Sequence, residues 1–278
     1  VADVHGVHAI LTDEVGNTSK CKSLQVSGGG HLSFSIPIAR SALKPRSREV
    51  QVKGNKMTGI VLYGFDGSTY VRTVRMLLAE KGAHYEQVPV DVLKGEPRQP
   101  EHIARHPFCK VPVLDHNGFR IIETGAIVPY LDEVLPGPSF TPKSFRDRAR
   151  MRMAMGIVDS YGYSALITVA GYHLFPDFIG GPDEKARKHA IANSRRVLQE
   201  LMKLRGGSAF IAGERPSLGD FYVAPICFLV SLTPDANEVF AIDGFARWWE
   251  QVQAMPSYQA TAPGLAEMSA AGKCDGTA

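Results

Sequence analysis

The stretch Gly59-Ile60-Val61-Leu62-Tyr63-Gly64-Phe65-Asp66-Gly67-Ser68-Thr69-Tyr70-Val71-Arg72 decides how the rest of this 278-residue chain is read. Its first half is a short apolar run of β-forming residues closed by glycine, which predicts a buried strand. Its second half is a turn ending in a serine that can cap a helix. Val71, Val74, Leu77 and Leu78 then recur at helical spacing, and Gly82 offers a stop. Residues 84–92 read as a further strand, and Pro89 within it implies an edge position because proline cannot donate to a ladder. Residues 111–122 predict a hairpin turning at Asn117-Gly118, and a helix from about 124 to 135 closes the unit. The order is therefore a parallel βαβ half, an antiparallel hairpin and a helix.

Outside this unit the bulk properties set bounds. An apolar fraction of 44% and a charged fraction of 21% are those of a globular protein with a sizeable core. Lys and Arg total 31 against 28 Asp and Glu; residues 1–56 hold 8 against 4, leaving 23 against 24 for the remainder. The body is nearly neutral, which gives no electrostatic case for nucleic acid or an anionic membrane. No apolar run approaches the roughly 20 residues that span a bilayer. Cys21, Cys109, Cys227 and Cys274 include no CxxC pair, so neither a zinc site nor a disulfide framework is expected, and a cytoplasmic location is.

Residues 1–56 read as an extension outside the fold. Between Val15 and Arg48 they carry six basic residues, seven serines and no acid, the composition of an organelle transit peptide. Asp3, Asp13 and Glu14 oppose that reading, and Met57, directly before the first strand, is an alternative start; a disordered arm is a third reading.

Three short segments carry candidate chemistry: the turn at Ser68, Phe108-Cys109-Lys110-Val111-Pro112-Val113-Leu114, and Ile122-Glu123-Thr124-Gly125-Ala126-Ile127. Ser68 has two readings. As a helix N-cap it accepts a bond from a first-turn amide. The same place also offers free N–H groups and a positive dipole end, which favour an anion such as a thiolate, and a hydroxyl there can donate to the sulfur. A free thiol of pKa about 8.5 is roughly 3% ionised at pH 7. One charge-assisted hydrogen bond contributes about 1.5–3 kcal/mol, or about one to two pKa units. Two units would raise the thiolate fraction to roughly three quarters, about 25-fold. Glu123-Thr124 reads as an acid and a hydroxyl opening a helix, both favourable there for capping and dipole reasons.

Together these segments resemble the glutathione-binding half of the cytosolic glutathione transferases, most specifically the Ser-type phi class and its bacterial relatives. By that resemblance the fold is α+β: a thioredoxin-like domain over 57–137, a Pro-rich linker over 138–145, an all-helical domain over 146–262 and a tail over 263–278. Ser68 stands at the activating hydroxyl, Val71 at a small-residue position and Arg72 at the helix arginine. Tyr63 is expected to face away, and Tyr70 either lines the pocket or faces solvent. The resemblance implies a cis bond at Val111-Pro112, with the Val111 N–H and C=O pairing with the cysteinyl portion of glutathione. Lys110 and Arg98 match positions for the glycyl carboxylate, although Pro97 replaces a frequent histidine; Lys110 reads equally as a solvated lysine. Glu123 and Thr124 match the pair that holds the γ-glutamyl end. Cys109 replaces a usual glycine, as an inert thiol or as one that forms a mixed disulfide with glutathione. Pro129 lies inside the following helix and is expected to bend it.

Beyond the linker, helices are predicted from 145 to about 173, from 182 to 204 with Pro182 at the first position, from 218 to 231, and from 245 to 254. Ser217-Leu218-Gly219-Asp220 is a capping-box variant with a folding role, and Trp248-Trp249 are expected to pack the last helices. The second substrate is expected between the domains against Phe65, Ile157, Tyr161 and Tyr163, a stripe that also reads as plain core.

The function implied is a glutathione transferase that activates the glutathione thiol for conjugation to a mostly apolar electrophile, in a homodimer. Glutathione would be the co-substrate, with no metal and no organic cofactor. The alternatives are a glutathione-dependent peroxidase, dehalogenase or isomerase on the same scaffold, a Cys109-centred reductase, and a non-catalytic ligand-binding or docking module.

Overall fold

A computed structural model of the protein describes residues 59–264. The reading of residues 1–56, Cys21 and Cys274 lies outside this range, as does the expected tail apart from its first two residues. Strand β1 (Ile60–Tyr63) buries Ile60 and Leu62 and turns out the residues between them, the alternation that a half-buried strand requires. It runs parallel to β2 (Glu86–Val88) and antiparallel to β3 (Val113–His116), which pairs in turn with β4 (Phe119–Ile122). The sheet order β2-β1-β3-β4 leaves β2 at an edge, and Pro89 falls directly after it. Asn117 and Gly118, at φ 53° and 83°, make the two-residue hairpin turn.

Helix α1 (Thr69–Glu80) supplies the crossover between β1 and β2, with Val71, Val74, Leu77 and Leu78 fully buried. Gly64, at φ 151°, lets β1 turn into it: a Cβ there would lie 2.3 Å from the Val71 side chain. Between β2 and β3 the chain forms a 3₁₀ turn (Glu96–Arg98) and a short α2 (Pro100–Ile103), neither of which the sequence pattern announces. Helix α3 (Thr124–Val134) packs on α1 and runs through Pro129 without interruption.

The helical half begins after a linker clamped by one carboxylate. Asp132, near the end of α3, accepts from the amides of Phe140 (3.0 Å) and Thr141 (2.9 Å), and Lys81 at the end of α1 bonds it at 2.9 Å. Helix α4 (Phe145–Ile157) passes through a π-turn (Val158–Gly162) into α5 (Tyr163–Leu174), so the predicted single helix is interrupted where the chain takes a wider turn. Helix α6 (Glu184–Arg205) starts two residues later than Pro182 suggests. Asp183 caps it, accepting from Lys185 and Ala186, and that cap outweighs the preference of proline for a first position. Helix α7 (Leu218–Ser231) is buried along nearly its whole length and packs on α1, α4 and α5. Helices α8 (Ala236–Phe240), α9 (Phe245–Gln253) and α10 (Pro256–Ala260) follow; α8 and α10 are too short to have shown a period.

Two buried polar groups hold this half together. Asp220 accepts from the Ser217 amide and hydroxyl, the Ile211 amide and the Trp248 indole N–H, all between 2.8 and 3.0 Å. The capping box therefore has the folding role expected of it, and Trp248 adds a fourth donor. Arg72 is 1% exposed and donates to the Tyr258 carbonyl at 2.8 Å, with its guanidinium 4.4 Å from the rings of Phe228 and Tyr258. Burial lowers its pKa to about 10. It thus fastens α1 to α7 and α10 rather than facing the site. Among the described residues no helix is long and apolar enough to cross a membrane.

Candidate active site

A cleft of about 510 Å³ lies between the sheet half and the helical half. Ser68 stands on it as the N-cap of α1, with φ −75° and ψ 125°. Its Oγ accepts from the Val71 amide at 3.4 Å, long for such a bond, so most of its hydrogen-bonding capacity remains unused. The amides of Thr69 and Tyr70, the first two of the helix, donate to no acceptor among the described residues. A hydroxyl donor and two N–H groups therefore converge at the positive end of a twelve-residue helix.

The second wall is the start of β3. The Val111-Pro112 bond is cis, and neither backbone group of Val111 is hydrogen-bonded among the described residues. The preceding loop is held from below: His102 Nε2 lies 2.8 Å from the Lys110 carbonyl and, facing an oxygen that only accepts, must carry the proton. Lys110, Arg98 and Cys109 all line the cleft, Cys109 at φ 54°.

The third wall is the start of α3. Glu123 caps it with φ 69°, a conformation that costs a non-glycine residue about 1–3 kcal/mol and is characteristic of ligand clamps. Its side chain is 68% exposed, and Thr124 beside it is buried. The amides of Thr124 and Gly125 have no acceptor among the described residues. His106, which belongs to none of the three segments singled out in the sequence, lies behind this wall, its side chain 2% exposed. Burial, against the pull of Glu123, lowers its pKa, so the ring is neutral at pH 7. Its Nδ1 accepts from the Phe108 amide at 3.3 Å, which leaves Nε2–H directed at Glu123, 4.0 Å away.

The helical half closes the cleft with Tyr70 of α1 against Asp159, Tyr163 and Tyr222. The Tyr70 hydroxyl donates to Asp159 Oδ1 at 2.8 Å, and its ring centroid lies 5.0 Å from that of Tyr163 and 6.0 Å from that of Tyr222. Burial and the nearby Glu123 raise the carboxyl of Asp159, while the Tyr70 bond opposes them. Burial, with Asp159, pushes the Tyr70 hydroxyl far above its usual range, so it stays protonated.

The cleft thus brings together Ser68, Arg98, Lys110, Val111, Pro112, Glu123 and Thr124, with Phe65 at its edge. Ile157 and Tyr161 are elsewhere: they line a separate cavity of about 600 Å³ against α6, and Tyr161 is 67% exposed. Residues two apart on a helix point to opposite sides, so Tyr161 cannot share a face with Tyr163. Tyr163 and Ile167 take the cleft side instead, with Asp159 brought there by the π-turn. Tyr63 faces away, its hydroxyl 3.4 Å from Asp115. Asp159 and Tyr222 had no signal in the sequence, since neither belongs to a local motif. Among the described residues no group of three or more His, Cys, Asp or Glu is arranged to hold a metal ion.

Comparisons with known proteins bear on this geometry. The family model described as the N-terminal domain of glutathione S-transferase matches residues 58–133. Glutathione S-transferase 1 of Dianthus caryophyllus is 33% identical over 166 residues, 59% of this chain and 74% of that protein. Maleylacetoacetate isomerase of Rhizobium meliloti (strain 1021) is 34% identical over 176 residues, 59% of this chain and 78% of that protein. Among solved structures, glutathione transferase F7 from Populus trichocarpa superposes with a TM-score of 0.66 at 24% identity, covering 73% of this chain and 97% of that one. That last likeness is one of fold: a thioredoxin-like sheet domain followed by a helical domain.

Proposed function

This chain belongs to the glutathione S-transferase family, and from that membership we propose that its cleft ionises the thiol of bound glutathione and presents the sulfur to an electrophilic small molecule. The observation that carries the reading is Ser68, whose hydroxyl stands at the open end of α1 beside two unpaired amides. On this reading the enzyme is of the Ser-type, phi-like kind. The tripeptide lies along the cleft with its cysteinyl backbone paired to Val111, as one more strand beside β3. Arg98 and Lys110 take the glycyl carboxylate. Glu123 takes the γ-glutamyl ammonium, and the Thr124 hydroxyl with the Thr124 and Gly125 amides takes its carboxylate.

Catalysis then requires little further apparatus. The thiol proton leaves to solvent, and the Ser68 hydroxyl donates to the sulfur and holds it as thiolate. The electrophile enters against Phe65, Tyr163 and Ile167, within reach of the sulfur, so proximity supplies the rest. A sulfur–carbon bond forms as the leaving group departs, or as the electron pair of an activated double bond moves onto its acceptor atom. A homodimer and a cytoplasmic location complete the reading, both by family likeness.

The direct test is an ultraviolet difference titration of the glutathione complex, which reports thiolate absorbance. The midpoint is expected about one to two pH units below that of free glutathione, whose thiol titrates near 8.5. A midpoint unchanged from free glutathione would sink the proposal.

The similarity to an isomerase at 34% identity favours one second reading, in which the thiolate adds to a cis double bond, permits rotation and is then expelled. Glutathione is unconsumed in that case and consumed in conjugation, so assaying free thiol over many turnovers separates the two.

A further inference from the structure

Tyr222 is 2% exposed, and its hydroxyl is buried without a hydrogen-bond partner. Such a group is costly to leave unpaired, and in folded proteins it is nearly always satisfied by something. The residue projects from α7 in the helical half yet lines the cleft. Its hydroxyl faces the first turn of α3: a Cβ built on Gly125 would stand 3.4 Å from the Tyr222 oxygen. Gly125 is itself exposed, and its amide and that of Thr124 are unpaired there. The Tyr222 hydroxyl, from the helical half, therefore borders the space beside Gly125, in a first turn whose Thr124 and Gly125 amides are unpaired at the positive end of an eleven-residue helix.

We propose that the Tyr222 hydroxyl donates a hydrogen bond to the α-carboxylate of the γ-glutamyl end of glutathione, so that the helical half contributes to binding the tripeptide. The assignment rests on the reading of the cleft as a glutathione site. It goes beyond that reading by placing a ligand contact on α7, where the sequence resemblance puts none. A bound carboxylate oxygen in this space would satisfy both the orphaned hydroxyl and the free amides. The neighbouring carboxylates of Glu123 and Asp159 do not oppose it, because the ammonium on the same carbon as the ligand carboxylate arrives with it. Burial, then Asp159 and Glu123, raise the Tyr222 hydroxyl far above its usual range, so it is a donor at every working pH.

The test is calorimetric titration of wild type and Tyr222→Phe with three ligands: glutathione, glutaryl-cysteinylglycine, which lacks the ammonium, and 4-aminobutanoyl-cysteinylglycine, which lacks the α-carboxylate. The substitution keeps the ring and removes only an unpaired hydroxyl, so the melting temperature should not fall. Loss of a hydrogen bond to a charged group should weaken glutathione and the glutaryl ligand by about tenfold. The aminobutanoyl ligand should bind both proteins alike. Gly125→Ala, which puts a methyl in the same space, should show the same pattern. Unchanged glutathione affinity in Tyr222→Phe, or an equal loss for the ligand without the carboxylate, overturns the assignment while leaving the glutathione site intact. Wild type that binds no glutathione would overturn both.

Discussion

Tyr70 and Asp159 are 89 residues apart in the chain and joined by a 2.8 Å hydrogen bond, phenol to carboxylate, across the mouth of the cleft. The bond ties the first helix of the sheet half to the π-turn of the helical half. It also fixes the protonation of the pair, because a phenol pushed up by burial and a carboxylate share one proton on the phenol side. Removing the donor in Tyr70→Phe should raise the Asp159 carboxyl further above its ordinary 3.8, since the bond is the one influence holding it down. Glu123→Gln should lower it by removing a like charge. Carboxyl carbon shifts followed against pH by NMR would reveal both; identical titrations in all three proteins would refute the coupling.

Ser68 has two roles that substitution can separate. Ser68→Ala should cut conjugation at pH 7 by about 8- to 25-fold, the thiolate lost when one to two pKa units are surrendered. It should cost about 0.5–1 kcal/mol of stability, because the cap bond at 3.4 Å is weak. Ser68→Asp restores a cap acceptor but opposes the thiolate with a charge. Stability near wild type with activity below that of the alanine variant is therefore expected from chemical denaturation and initial rates. Activity of Ser68→Ala equal to that of wild type would remove the hydroxyl from the chemistry.

The Lys81–Asp132 pair should set part of the acid stability. Both side chains are 1% exposed. Burial works to raise the Asp132 carboxyl, but the Phe140 amide, Lys81 and Thr141 together hold it below its ordinary range. A depressed folded pKa means that the stabilisation is fully present above the unfolded value of 3.8 and disappears as pH falls through the folded one. Asp132→Asn should lose about 3 kcal/mol at pH 7, leaving Lys81 buried without its counter-charge. The difference from wild type should shrink below pH 4. Urea unfolding at pH 7 and pH 3 measures it; a gap that does not narrow in acid would contradict the assignment.

Asp220 is completely buried beneath four donors, which makes it the most sensitive polar position in the helical half. Asp220→Ala orphans the Ser217 and Ile211 amides and the Trp248 indole at once. A loss of about 3 kcal/mol or more is expected. Trp248→Phe removes one of the four donors and part of a buried ring, leaves the other three bonds in place, and should cost less. Thermal melts of both variants give the comparison, and a Trp248→Phe variant less stable than Asp220→Ala would reverse the ranking of polar network over packing.

By itself the sequence determined those parts whose cause is local. A serine after Gly67 caps α1, Asn117-Gly118 can take the positive φ values of a two-residue turn, and Glu123-Thr124 opens α3; each needs only a few neighbouring residues to act. The resemblance in those segments carried Arg98, Lys110, Val111 and Pro112 to the same cleft, where the structure also brings them. Only the tertiary structure decided which face of the helical half looks into that cleft. Tyr161 and Ile157 turn to α6, while Asp159, Tyr163 and Tyr222 turn inward. A π-turn shifts the phase of a helix by a residue, and the packing of α7 on α1 depends on contacts well over a hundred positions apart. Neither leaves a periodic trace in the residues concerned, because orientation there is set by what the helix meets, not by what it contains.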